Sequence, residues 1–239
     1  LTVCVPTIFV TKATRRQLMD SHLIRFQQKK FLFLDFETFN LALHDSLNLP
    51  WQAAAIYQQV KDNGNGKLIN EEICRHDLYV KWDSDLKIGK DAKRITNYSE
   101  TRFRQKCIPE EEAFDTLYRL TEDCDYIVGH NVLGFDIFLL RNWYKKHGKA
   151  HRHLPNKVLD TLAIARSVSL DYNYKSGECP ILDFQMKMIN TRKKGLKTSL
   201  GALGKSYEIE HDYAKLHDAL VDLELNIKVW NKLKYQIDF

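Results

Sequence analysis

The sequence predicts one α/β domain built on a mixed sheet, and three observations carry that expectation. The run FLFLDF (31–36) is apolar at both parities, as a strand covered on both faces must be. WQAAAIYQQV (51–60) and a run ending in HDLYVKW (76–82) enclose the turn DNGNGK, whose Asn-Gly pairs supply the positive φ of a tight hairpin. After them the pattern changes to helices alternating with the short apolar run YIVGHN (126–131).

The elements follow in order. Residues 14–30 (TRRQLMDSHLIRFQQKK) set Leu18, Leu23, Ile24 and Phe26 among charges, which predicts an amphipathic helix in an N-terminal extension over 1–30. FLFLDF is the central strand, and the hairpin follows it. The stretch up to Cys107 is charged and irregular and reads as a surface excursion. Pro109 before Glu110, Glu111 and Glu112 is a helix start, with acids on the positive end of the dipole. That helix carries Ala113, Phe114, Leu117 and Leu120 on one face and ends near Cys124. YIVGHN is a buried strand. FDIFLLRNWYKK is a helix with Phe135, Phe138, Leu139 and Trp143 inward, and LDTLAIARSV (159–168), SLGALGKSY (199–207) and HDALVDLELNIKVWNKL (217–233) are further helices. In such a sheet, sites collect at the carboxyl ends of the central strands, where Asp35 and Glu37 sit.

Composition narrows the classes. With 44% apolar and 11% aromatic residues the chain can bury a sizeable core, and a net charge of +5 is compatible with a polyanionic partner. Five cysteines, odd in number and never spaced C-x-x-C, are neither a disulfide framework nor a thiolate zinc site; they fit a reducing, intracellular compartment, cytoplasmic or nuclear. No apolar stretch approaches the ~20 residues of a membrane span. The first residue is Leu, so a fragment, a processed form or a chain with residues ahead of it is expected.

Asp35 and Glu37 are two residues apart on a strand and so share a face. Such a pair is either the solvated edge of the strand or a site whose repulsion a cation relieves, and carboxylate oxygens suit Mg²⁺ or Mn²⁺. Further carboxylates should then converge. Asp136, in GHNVLGFD, lies between Phe135 and Ile137 in a stretch that should be half buried. Asp222, in HDALVD, lies on the last helix. His217 is five residues before it, about 140° away on an ideal helix. The two can meet only if His217 stays in the lead-in loop and the helix starts around Asp218.

DFET (35–38), GHNVLGFD (129–136) and HDALVD (217–222), in this order, resemble the three motifs of the DEDDh (DnaQ-like) 3′–5′ exonucleases of the ribonuclease H-like superfamily. DTLAIAR (160–166) and SLGALGKSYEIE (199–210) are similar to the stretches before the third motif, and the likeness runs from about residue 31 to 233, within an exonuclease domain placed at 31–239. It departs at Asn40, where many relatives carry Gly, and in the three residues between Asn131 and Phe135, where the compact form has two. The resemblance implies a mixed five-stranded sheet flanked by helices, and release of 5′-mononucleotides from 3′ ends by a two-metal mechanism. It implies Asp35, Glu37, Asp136 and Asp222 as ligands of two Mg²⁺ or Mn²⁺, and His217 as the base that takes a proton from the attacking water. Thr38, Phe39 and Asn131 match positions that meet the substrate.

Single-stranded nucleic acid is the expected partner, DNA slightly ahead of RNA because the second motif resembles that of proofreading domains. The alternatives are a silent nucleic-acid-binding module, and a proofreading subunit or domain whose helix at 14–30 docks a polymerase or other protein. Two acid-free basic runs, 141–157 and 187–205, could form a phosphate-binding rim. His147, His151 and His153 lie in the first run without a convincing fourth zinc ligand.

Overall fold

Strand β1 (Lys30–Thr38) is the axis of the fold. Its even residues Leu32, Leu34 and Phe36 enter one core, while Phe31 and Phe33 enter a second core on the opposite face. In the computed structural model, which describes residues 26–40, 48–63, 68–84, 87–96, 98–175 and 177–235, β1 is hydrogen-bonded on both sides. Strand β2 (Pro50–Asp62) pairs antiparallel with it, Leu34 opposite Ala55. Strand β3 (Leu68–Lys81) continues the hairpin on the far side of β2. The predicted hairpin is present, although part of its turn (64–67) lies outside the described residues.

The excursion before Cys107 is more ordered than its sequence suggests. It holds two short helices, α1 (Lys90–Ile95) and α2 (Glu100–Lys106), and then strand β4 (Cys107–Pro109), parallel to β3 at the sheet edge. Helices of six and seven residues are too short to show a period; aromatic contacts of Tyr98 and Phe103 with Trp51 and Tyr79 fix them instead. Helix α3 (Glu110–Asp123) then leads to β5 (Tyr126–Gly129), which pairs parallel with β1 on its other side. Glu110, at the helix start, is buried, accepting from Trp143 Nε1 at 2.7 Å and paired with Lys146.

Helix α4 (Asp136–Lys146) buries Ile137, Leu139, Leu140, Trp143 and Tyr144 but leaves Phe138 exposed, so its apolar stripe is turned from the predicted one. Strand β6 (Val158–Asp160) occupies the start of the predicted helix at 159–168; Asp160 ends the strand and caps α5 (Thr161–Ser169). Helix α6 (Ile181–Asn190) has no counterpart in the expectation. Helices α7 (Leu200–Ser206) and α8 (Ala219–Leu233) follow as predicted.

The sheet order is β4-β3-β2-β1-β5-β6, six strands instead of five, because the three-residue β4 adds an edge. Helices α3 and α4 cover the Leu32 face; α5 and α8 contribute Ile164, Leu223, Val229 and Trp230 to the Phe31 face. The predicted helix at 14–30 lies mostly outside the described residues, as does any partner contact through it. At its end, residues 26–28 form a turn, and Lys30 opens β1. Among the described residues no helix is long and apolar enough to cross a membrane.

Candidate active site

Asp35 and Glu37 share the parity of Phe31 and Phe33 and therefore stand on the face that α8 covers. Between Glu37 and Thr38 the pairing with β2 shifts register, so Glu37 faces Gln52 whereas Thr38 faces Pro50. Such a bulge bends the strand end and re-aims its side chains. Asp136, buried at the first position of α4, accepts from the Phe36 amide at 2.9 Å, which anchors the helix start to β1 between the two strand acids. Asp222 projects from the first turn of α8 and accepts the His217 amide at 3.2 and 3.3 Å.

His217 lies in the lead-in loop with φ +72°, outside the helix, and Asp218 takes the N-cap position. A donor atom from each of Glu37, His217 and Asp222 lies within 4.8 Å of the others. Asp218 does not cap its helix with its side chain. Its carboxylate instead accepts from Arg102 at 3.1 Å and from Gln52 at 3.4 Å.

The electrostatics follow from burial and crowding. Burial first, then repulsion from Asp136, Glu37, Asp222 and Asp218, lifts the Asp35 carboxyl well above its ordinary range. Burial, with Asp222, Asp136 and Asp218 nearby, pushes Glu37 up to about 9. Asp136 rises to about 8, mainly by burial and against its hydrogen bond from Phe36, and Asp222 rises to about 6 for the same first cause. Four acids that each resist ionisation form a donor set suited to divalent cations. The buried Gln52 Oε1 also has no hydrogen-bond partner among the described residues, an acceptor left over beside Glu37 that a hydrated cation would satisfy.

The three predicted substrate positions are fixed in different ways. The Thr38 hydroxyl donates to the Asn40 carbonyl and is buried. Phe39 is buried, its amide bonded to Leu49 O at 3.2 Å and its carbonyl to the Gly89 amide at 2.9 Å. Asn131 is half-buried at φ +65°, at the start of the second-motif turn. Gly134 suits that turn because a Cβ there would fall 2.4 Å from Asn131 Oδ1.

A sequence model of the exonuclease family (RNase T) matches residues 32–230, which is most of the chain. The chain belongs to this family. Among solved structures, E. coli exonuclease I in complex with a dT13 oligonucleotide aligns at TM-score 0.62 with 25% identity, over 87% of this chain and 41% of that chain. The apo form of exonuclease I aligns at 0.62 with 24% identity over 87% and 42%, and its zinc-bound complex with single-stranded DNA at 0.62 with 23% over 85% and 40%. The chain thus spans about two-fifths of the length of those proteins. No curated protein matches it.

Within this exonuclease domain, sequence reasoning missed two supports of the site. Asp160 is fully buried and accepts from the amides of Asn131, Leu133, Leu162 and Ala163 at 3.0, 2.9, 2.9 and 3.3 Å, which ties the second-motif turn to α5. An Asp directly before Thr161 and an apolar run is a helix-cap signal that could have located it. Arg102 gave no local signal, because its partner Asp218 is 116 residues away.

Proposed function

We propose that this domain removes nucleotides one at a time from the 3′ end of single-stranded nucleic acid, DNA ahead of RNA, releasing 5′-mononucleotides. The observation that carries the reading is the convergence of Asp35, Glu37, Asp136 and Asp222 with His217 beside them. Family membership and the likeness to exonuclease I support it. In this reading Asp35, Glu37, Asp136 and Asp222 hold two Mg²⁺ or Mn²⁺ ions. When bound, such a pair supplies Lewis acidity on both the attacking and the leaving side of the phosphorus.

The chain's own groups do the rest. His217, exposed at the rim beside Glu37 and Asp222, takes the proton of the attacking water, a role an imidazole nitrogen can fill. Asp222 holds the His217 backbone through its amide, so base and ligand set move as one unit. Thr38 and Phe39 flank the terminal nucleotide after the strand bulge, and Asn131 meets it from the second-motif turn. A silent binding module would be expected to lack part of this set, and all five residues are present.

The test incubates oligonucleotides labelled at the 3′ or the 5′ end, DNA and RNA in parallel, with Mg²⁺, Mn²⁺ or chelator, beside an Asp35→Ala control. A metal-dependent ladder that shortens from the 3′ end and is absent in the control is the expected result. Tight binding with no cleavage in any metal would refute it.

A further inference from the structure

Residues 141–157 and 187–205 look alike in sequence, each with six Lys or Arg and no acid. The fold uses them differently. In the first run Lys146 pairs with Glu110, Lys149 lies 4.9 Å over the ring of Tyr118, and Lys157 Nζ donates to the carbonyls of Thr121, Glu122 and Cys124. These are internal ties. In the second, Lys187 and Lys205 lie over Tyr172 and Tyr213. Arg192, Lys193, Lys194 and Lys197 have no carboxylate partner among the described residues.

Those four belong to the loop at 191–199 that joins α6 to α7. Arg192, Lys193 and Lys194 line a cavity of about 350 Å³ together with Arg166. A neighbouring cavity of about 520 Å³ is lined by Lys197 and by Asn131 of the second-motif turn. The two share Arg166, Leu196 and Thr198 as walls, so they form one groove that runs from His130 and Asn131, in the turn that leads to Asp136, into the basic loop. Neither cavity has a Phe, Tyr or Trp in its lining, which suits contact with a backbone more than stacking on bases. Arg166 is pinned by the carbonyls of Met188 and Ile189, and burial together with the adjacent Arg192 disfavours its charge. The Asp160 carboxylate offsets this only in part, and an anion in the groove would offset more of it.

We infer that this groove is the backbone track of the substrate strand, with phosphodiesters beyond the reacting nucleotide lying against Arg166, Arg192, Lys193, Lys194 and Lys197. The inference rests on the nuclease reading and deepens it. A polyanion approaching four carboxylates needs cations near them, and this groove begins at Asn131, in the turn that delivers Asp136. The same chemistry could attract an acidic protein segment; continuity with Asn131 favours the nucleic acid strand.

The experiment measures binding of a fluorescein-labelled short oligothymidylate by anisotropy, in chelator, between about 50 and 200 mM salt. It compares the wild type with R192A/K193A/K194A/K197A and, as a control from the first run, K145A/K149A/R152A, with circular dichroism confirming that each folds. Loss of four phosphate contacts should weaken binding and reduce the slope of log K against log salt by about 3, at about 0.7 per contact for a single strand. The control should change it by less than one. Unchanged affinity and slope in the quadruple variant would overturn the assignment. An acidic decapeptide that loses its binding in the quadruple variant while the oligonucleotide keeps its own would give the groove to a protein and also overturn it. Because binding is read without divalent ions, a chain that binds through the groove yet cleaves nothing would refute the nuclease reading and leave the track standing. Cleavage with undiminished affinity in the quadruple variant would do the reverse.

Discussion

Asp35, Glu37, Asp136 and Asp222 crowd like charges into a poorly solvated space, and the cost depends on pH. The folded carboxyls of Glu37, Asp136 and Asp222 titrate near 9, 8 and 6, against ordinary values of 4.5, 3.8 and 3.8. The folded state therefore binds more protons than the unfolded one across that window. The contribution of these three groups to the stability of the metal-free protein is fully present below about pH 4 and is lost as pH rises through the folded values. In chelator, the melting temperature at pH 6 should exceed that at pH 8.5, and saturating Mn²⁺ should flatten the dependence; a melting curve that rises with pH in chelator would contradict this. Asp35→Asn removes one of the repelling charges, so it should raise the melting temperature in chelator at pH 8 while abolishing hydrolysis. His217→Ala removes the proposed proton acceptor and should lower kcat by about 10²–10⁴-fold with metal affinity, followed by calorimetry, little changed.

At the scale of elements, the site is assembled from three pieces that meet at the end of β1. Asp160 joins two of them, the second-motif turn and α5. Asp160→Ala leaves four amides without their acceptor in a buried place, and should destabilise the fold by about 2–4 kcal/mol in urea denaturation. Arg102 on α2 joins the third. Its bond to Asp218 holds the residue next to His217 from across the sheet end. Arg102→Ala should lower kcat about tenfold with KM nearly unchanged, because the proposed proton acceptor His217 loses its placement while the groove and the four clustered acids remain. Arg102→Lys should recover part of the loss, which a general destabilisation of α2 would not predict.

For the whole molecule, metal and fold are linked equilibria. At a concentration about 100 times the dissociation constant, a cation that binds only the folded state adds about 2.7 kcal/mol, and for a chain of this size each kcal/mol shifts the melting temperature by about 2–4 °C. Titration with Mn²⁺ at pH 8 should thus raise it by about 5–10 °C, and a variant lacking Asp136 should show little of this. What the sequence made legible at this scale was whatever short-range pattern encodes. The apolar run of β1, the Asn-Gly hairpin and the three motifs are contiguous stretches, so the central strands, the convergence of the five candidate residues and the loop position of His217 could be read in advance. The rest depends on partners distant in the chain. Strands β4 and β6 have three residues each and exist because a neighbour pairs with them, and Glu110 is buried because Trp143 and Lys146 come to it. The equal-looking basic runs could not be told apart until the fold had tied Lys146, Lys149 and Lys157 of the first to internal partners and placed Arg192, Lys193, Lys194 and Lys197 of the second on a groove.

The backbone of His217 has a consequence of its own. At φ +72° it sits where a side chain costs about 1–2 kcal/mol and glycine costs nothing. His217→Gly would then relax the loop and leave, beside Glu37 and Asp222, a vacancy the size of the lost ring. Imidazole dissolved in the buffer can fill that vacancy and accept the proton, so the glycine variant should regain turnover in proportion to added neutral imidazole. The alanine variant, which keeps both the Cβ and the strain, should respond less.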